Sequence, residues 1–276
     1  MSQVIPRRET PTRWRPSPVI AGSMGLHGLA GVGLLADPLA WPWAVGAIVA
    51  NHALLTAAGL WPRSTWLGPN LVRLPEAARE RGEFAITIDD GPDPLVTVPT
   101  LDLLDRRGVK ATFFCIAARA RAHPDLCREI ARRGHAVENH SSRHLATFPF
   151  LGLRGQRDEI GAAQDTLAEL TGCAPRFFRP PAGLRNPLLD PVLHDLGLRL
   201  ASWTRRGFDT RTRDPERVAA RVTRGLAAGD IVLLHDGNAA RAADGRPVIL
   251  EALARLLDAA ETRGLGAVTL RDAVDS

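Results

Sequence analysis

Two adjacent carboxylates, Asp89 and Asp90, and two histidines four positions apart, His140 and His144, have the types and spacing that suit metal chemistry. Side-by-side acids raise each other's pKa unless a cation lies nearby. Imidazoles at i and i+4 face the same way if a helical turn carries them. One carboxylate with two imidazoles makes a three-ligand shell for Zn²⁺ or another divalent ion and leaves positions open for water and substrate. The plain alternatives are a polar Asp-Asp-Gly-Pro turn and a pair of loop histidines without a ligand.

The acids end a short apolar run, Phe84–Asp89, that is stopped by Gly91 and Pro92. Such a run reads as a buried strand delivering its acids at the C-terminal end, where α/β folds keep their sites. Further strands are expected at 111–117, 135–139, 176–180, 199–204, 230–235 and 266–270. Helices are expected near 97–107, 123–133, 156–171, 187–196, 214–227 and 247–263. Gly108, Gly134, Gly172, Gly197, Gly229 and Gly264 stand where those helices should end. Repeated β-α units of this length predict an α/β fold, a distorted (β/α) barrel of about seven parallel strands. Parallel strands would gather Asp89, Asp90, His140, His144, Arg179, Pro181, Trp203, Asp209, His235 and Asp236 on one face. Ionisable residues at so many strand ends exceed ordinary capping.

The chain has 276 residues, 45% of them hydrophobic, which is enough for a sizeable core and argues against disorder. Its formal charge is +5, almost all from arginine, since Lys110 is the single lysine. A basic balance can mean nucleic acid, but no zinc-finger, RRM or basic-zipper pattern is present. Cys115, Cys127 and Cys173 lack CxxC spacing and read as small apolar residues rather than a disulfide framework.

Domain organisation follows from composition. Residues 1–16 form a basic, proline-rich tail. Residues 17–62 hold two uncharged runs, Pro18 to Ala36 and Leu39 to Pro62, broken by Asp37 and Pro38; each approaches the ~20 residues that cross a bilayer. Trp41 and Trp43 at the turn, and Trp61 and Trp66 at the far end, suit the headgroup level. The expectation is a transmembrane helical hairpin; packing on a soluble core is the alternative. No small-residue cleavage site separates the runs, which argues against a signal peptide. Arginines flank the hairpin on both outer sides, so the positive-inside bias places both ends in the cytoplasm of a bacterial-type inner membrane. A single span would instead put the following domain outside. His27 and His52 read as helix-packing residues. Residues 63–82 read as a linker, and 83–276 as the catalytic domain.

Residues 83–271 resemble the polysaccharide deacetylase family, the NodB-homology enzymes of carbohydrate esterase family 4. Thr87–Pro92 (T-I-D-D-G-P) is similar to the family's first motif, which makes Asp89 the catalytic base and Asp90 a metal ligand. H-S-S-R-H at 140–144 resembles the metal-binding motif, adding His140 and His144. F-R-P-P-A-G at 178–183 resembles the third motif: Arg179 would position the base and the Ala182 N–H would help hold an oxyanion. V-L-L-H at 232–235 resembles the last motif, with His235 as general acid oriented by Asp209. Pro181, Ala182, Trp203 and Leu233 stand as substrate-contacting positions, although Leu233 reads equally well as a core leucine.

Two departures bear on substrate. Ala182 stands where an aromatic residue is common. The usual D-x-x-D-W appears as R-G-F-D-T, so that Arg206 replaces the first acid and Thr210 the tryptophan. Both point away from a long chitin-like polymer. The reaction implied is metal-assisted amide hydrolysis, with one divalent ion, Zn²⁺ first among candidates, polarising the acyl carbonyl and acidifying water. The substrate would be an amino sugar bearing acetyl or formyl, lipid-linked in one version, with membrane lipids around the anchor. No protein partner is inferable. The alternatives are a non-catalytic sugar- or lipid-binding membrane protein and a metal-dependent phosphoesterase. Asn139 and His135 read as structural supports, while Asp93, Asp236 and His194 carry no assigned role.

Overall fold

The computed structural model describes residues 13–275, so Arg7 and Arg8 of the expected tail lie outside the described residues. In chain order the elements are α1 (Pro18–Ala36), α2 (Trp41–Leu60), α3 (Glu76–Glu80), β1 (Glu83–Asp89), α4 (Thr97–Arg106), β2 (Thr112–Cys115), α5 (Ala117–Ala122), α6 (Pro124–Arg132) and β3 (Ala136–Asn139). There follow α7 (Leu153–Thr171), β4 (Phe177–Phe178), α8 (Leu189–Asp195), β5 (Arg199–Leu200), β6 (Arg205–Arg206), α9 (Pro215–Thr223), β7 (Ile231–His235), α10 (Val248–Thr262), β8 (Gly266–Val268) and α11 (Leu270–Asp275).

Seven parallel strands run β5-β4-β3-β2-β1-β7-β6, and β8 pairs with the start of β1. Strand β1 is central and covered on both faces, which is why it reads as a continuous apolar run. Period-two alternation sorts its side chains. Phe84, Ile86 and Ile88 join the core under the helices, with Leu253 and Leu256 of α10. Ala85 faces a second core on the concave side, with Phe114, Phe177, Trp203 and Leu233. Thr87 and Asp89 share that concave face.

The expected barrel is a curled half-barrel. Of the stretch 199–204 expected as one strand, only Arg199–Leu200 forms a strand, β5, paired with β4; β6 begins at Arg205, beyond that stretch, and pairs with β7 at the opposite edge. Leu71 fills part of the remaining gap, its N–H donating to the Leu200 carbonyl while its own carbonyl accepts from Ser202 N–H, both at 2.9 Å. The stretch read as a linker is therefore packed on the sheet, with Leu67, Leu74 and Ala78 buried.

The expected strand 111–117 ends at Cys115, because the chain leaves the sheet to serve the neighbouring loops. Ile116 N–H donates to Gly91, and the first amides of α5, at Ala117 and Ala118, donate to the carbonyls of Ser141 and Ser142. Gly229 is also not a helix cap. Helix α9 stops at Thr223, Gly225 turns the chain with φ of 62°, and Gly229 donates its N–H to Glu83.

Helices α1 and α2 are long and apolar enough to cross a membrane, and only 6% of the first span is buried, unlike a helix in a soluble core. Their facing side chains pair polar groups: Asn51 Nδ2 donates to Ser23 Oγ at 2.8 Å, and the His27 and His52 rings meet edge to face. At the base of the hairpin, Gly59 lies against the Arg185 carbonyl, and Ile20, Leu55, Ala58 and Leu67 form a small core.

Candidate active site

Parallel register brings the chemistry together. Asp89 on β1 is the register partner of His235 on β7. Around them a cavity of about 190 Å³ is lined by Asp89, Asp90, His140, His144, Ala182, Gly183, Trp203, Leu233 and His235, together with Arg206, Thr210, Arg211 and Asn238.

Arg179 organises one wall. Its guanidinium is fully buried, donates to Asp89 Oδ1 at 2.6 Å and Thr87 Oγ1 at 2.9 Å, and reaches the carbonyls of Ala201 and Ser202. It sits 4.0 Å from the centroid of the Phe114 ring. Burial lowers its pKa and Asp89 opposes that shift, but a guanidinium stays charged under all ordinary conditions. The same residue's carbonyl accepts from His140 Nδ1 at 2.7 Å. Because a carbonyl only accepts, Nδ1 carries the proton and the Nε2 lone pair is free to coordinate.

Nε2 of His140 lies 3.2 Å and Nε2 of His144 3.3 Å from Asp90 Oδ1. One donor atom from each of the three residues falls within 4.8 Å of the others, a set able to hold a metal ion. Burial raises the pKa of Asp90, but the His140 hydrogen bond and the charges of His140, His235 and His144 prevail and hold it below the usual carboxylate range. Burial, helped by His140, lowers that of His144. Such donors bind a cation when the imidazoles are neutral and the carboxylate is ionised, so metal binding here would release protons.

No helical turn carries His140 and His144. They sit in a loop, and Ser141 and His144 both take left-handed backbone, with φ of 65° and 55°. Ser141 N–H donates to Asn139 Oδ1, His144 N–H to Ser141 Oγ, and Arg143 to Glu159, so side chains fix a path that helical geometry would not. Asn139 thus supports the loop. His135 accepts from Ala111 N–H, and burial lowers its pKa to about 4.

The opposite wall is His235. Its Nδ1 donates to Asp209 Oδ1 at 2.8 Å, and its backbone N–H to Asp209 Oδ2 at 2.7 Å, so the carboxylate fixes the ring and leaves Nε2 for the cavity. Burial lowers the His235 pKa, but Asp209, aided by Asp89 and Asp90, brings it above the ordinary value.

Ala182 occupies a single 3-10 turn with φ of 55°, at a position where main-chain N–H groups lack an acceptor within the turn. Pro181 is buried under that turn and does not line the cavity, which Ala182 and Gly183 meet instead. A Cβ on Gly183 would lie 2.5 Å from Trp203 and 2.8 Å from Pro62, so the turn is wedged between the sheet and the hairpin base. Leu233 serves both as core and as cavity wall.

Two residues escaped the sequence reading. Asn238 donates to Asp90 Oδ2 at 2.9 Å, and Arg119 binds both the Asp90 carbonyl and Asn238 Oδ1 at 2.8 Å. Asn238 follows the last motif by three residues, but only folding shows what it touches. Asp236 is fully buried, accepts from Thr97 Oγ1 and from its neighbour Gly237 N–H, and burial pushes its pKa up to about 7. Asp93 accepts from the N–H groups of Leu95 and Val96 in the turn before α4.

A sequence model of the family described as polysaccharide deacetylase matches residues 76–201. A peptidoglycan-N-acetylglucosamine deacetylase of Bacillus cereus is 31% identical over 210 residues, covering 75% of this chain and 91% of that protein. The chain belongs to the polysaccharide deacetylase family. It is also 32% identical over 204 residues to a chitooligosaccharide deacetylase of Azorhizobium caulinodans, covering 69% of this chain and 95% of the relative. A family 4 carbohydrate esterase from Streptomyces lividans, solved in complex with acetate, superposes with a TM-score of 0.61 at 30% identity, over 67% of this chain and 91% of that one. Polysaccharide deacetylases are hydrolases of the amide bonds of N-acetyl sugars. The reaction class is thereby set, while these relatives differ in their sugars.

Proposed function

We propose that this chain is a membrane-anchored, metal-dependent deacylase that removes an acetyl or formyl group from an amino sugar presented at a membrane surface. The observation that carries the reading is the pairing across one cavity: Asp89 held by Arg179 and His235 held by Asp209, on either side of the Asp90–His140–His144 donor set. A divalent ion bound by those three residues, Zn²⁺ by its liking for imidazole and carboxylate donors, would polarise the acyl carbonyl and lower the pKa of water.

The chain supplies the rest. Asp89, hydrogen-bonded and ion-paired to the Arg179 guanidinium, takes a proton from the attacking water. The Ala182 N–H faces the oxyanion as it develops. His235, protonated against Asp209, donates to the leaving amine through Nε2. Leu233 and Trp203 wall the acyl and sugar space. Ser202 Oγ donates to the Pro62 carbonyl, and Arg63 reaches the Thr204 carbonyl, so the chain leaving α2 is tied to both neighbours of the cavity-lining Trp203.

The test is acetate or formate release from acylated amino sugars by the full chain loaded with Zn²⁺, compared with Asp89→Asn. Activity that survives in that variant removes Asp89 as base. Phosphate release from simple esters without acyl release would favour a phosphoesterase instead. Sugar binding without any hydrolysis would leave a non-catalytic protein.

A further inference from the structure

Beside the catalytic cavity lies an open cleft of about 690 Å³ whose lining includes Arg205, Arg206, Phe208, Arg217, Arg221 and Arg224. Arg206 is a wall of both spaces. Resting on the deacylase reading above, we propose that this cleft binds a phosphate or diphosphate carried by the sugar, so that the substrate is an anionic amino-sugar phosphate ester rather than a neutral glycan.

The charges in the cleft are unevenly neutralised. Arg205 is committed to Asp230 and to the carbonyls of Arg224 and Gly225. Arg217 has Asp214 at 4.0 Å. Among the described residues, Arg206, Arg221 and Arg224 have no carboxylate at ion-pair distance, and Arg211 at the cavity mouth has none either. The nearest acid in sequence, Asp209, is spent on His235.

Arg206 is also held ready. Its guanidinium lies 5.4 Å from the Trp203 ring centroid and 5.0 Å from that of Phe208, and the Arg221 guanidinium lies 5.4 Å from the Phe208 centroid. Stacking fixes the plane of a guanidinium and leaves its N–H edge for a bidentate acceptor. The Arg206 Nε is buried without a hydrogen-bond partner. Phe208 takes left-handed backbone, with φ of 58°, a conformation that bulky residues avoid unless something holds them there. That backbone places an exposed ring within reach of both guanidinium groups. Arg221 Nη1 donates to the Gly207 carbonyl and to Thr212 Oγ1, which positions the side chain, and among the described residues no negative charge answers these two cationic groups, as the oxygens of a phosphate would.

The cleft adjoins the base of the hairpin through Arg63 and Thr204, so a phosphate there could link the sugar to a lipid or belong to a soluble sugar phosphate. The experiment distinguishes these sources. The Zn²⁺-loaded full chain in detergent is given N-acetylglucosamine as its neutral methyl glycoside, as its 1-phosphate, and linked through diphosphate to farnesol. Charge-assisted bidentate pairing should favour the phosphorylated forms in kcat/KM by about tenfold or more. Arg206→Gln and, independently, Arg221→Gln on the exposed face of α9 should each collapse that preference towards unity, with circular dichroism confirming the fold. Preference for the farnesyl form over the 1-phosphate identifies a lipid carrier, and equal use of the two identifies a soluble ester; both support the proposal. Equal hydrolysis of neutral and phosphorylated sugars overturns it and leaves the deacylase reading intact. Hydrolysis of none of the three overturns both.

Discussion

Asp89 and His235 are register partners on neighbouring parallel strands, although 146 positions separate them in the chain. Each is fixed from behind by one buried residue of opposite charge, Arg179 for the acid and Asp209 for the imidazole. The proposed base and acid are therefore held by the sheet itself, and their supports can be removed one at a time.

Replacing Asp89 by Asn keeps its shape and removes the carboxylate. General-base loss predicts a fall in kcat of about 10²–10⁴ with metal content unchanged. Arg179→Met should be worse for the fold, because Asp89 would be left buried without its counter-ion, at a cost on the order of 3 kcal/mol or more. Urea unfolding of the two variants separates the effects, and equal stability in both would contradict the role given to Arg179.

The Asn238 side chain holds the second oxygen of Asp90. Asn238→Ala should weaken metal affinity by about 10–100-fold without touching a proposed ligand. Competition with a chromogenic chelator measures it. Chelation should abolish acyl release by the parent chain, and added Zn²⁺ should restore it.

His235 provides the pH test. Its pKa stands above the ordinary value because Asp209 favours the protonated form. The protonated acid therefore persists to higher pH, and kcat should decline on the alkaline side as His235 loses its proton. Asp209→Asn removes the carboxylate, so that limb should move to lower pH. Stability follows the same sign: the pair's contribution is complete below the unfolded histidine's pKa and fades as pH rises through the raised folded value. An alkaline limb that stays in place in Asp209→Asn would assign it to another group.

The hairpin predicts fractionation behaviour. Two largely exposed apolar helices should carry the full chain into the membrane pellet, to be released by detergent and not by alkaline carbonate. Release by carbonate alone would mean that α1 and α2 pack on a protein surface instead.

Gly183 predicts how tightly the turn at Pro181–Gly183 is wedged. With φ of 76° and Trp203 only 2.5 Å from where a Cβ would stand, Gly183→Ala must shift the turn. A loss of about 1–3 kcal/mol in stability is expected from the backbone conformation. Retained stability with full activity would show the turn to be pliable.

Period and punctuation alone determined much of this protein. The apolar run before Asp89 announced a covered strand, the alternation of strands and helices announced a parallel sheet, and the motifs at the strand ends announced the family. Two uncharged runs announced the hairpin. These features are local, and local spacing is what a chain shows before folding. Left to tertiary structure were the contacts between distant segments. The division of 199–206 between the two edges of the half-barrel depends on Leu71 and on which strands lie alongside. The route of the His140–His144 loop depends on Asn139, Glu159 and the first amides of α5, which override the helical turn its spacing suggested. Asn238 and Arg119 had no local signal, and Arg206 showed only as a departure from the motif, because a hydrogen bond or a stacking plane exists only once its two partners meet. Among the described residues, the non-glycine residues with left-handed backbone, Asp90, Ser141, His144, Ala182, Phe208 and Asn238, all lie in or beside the site and its adjoining cleft. Strain of that kind is held in place by packing from all sides, so it is visible only in the folded chain.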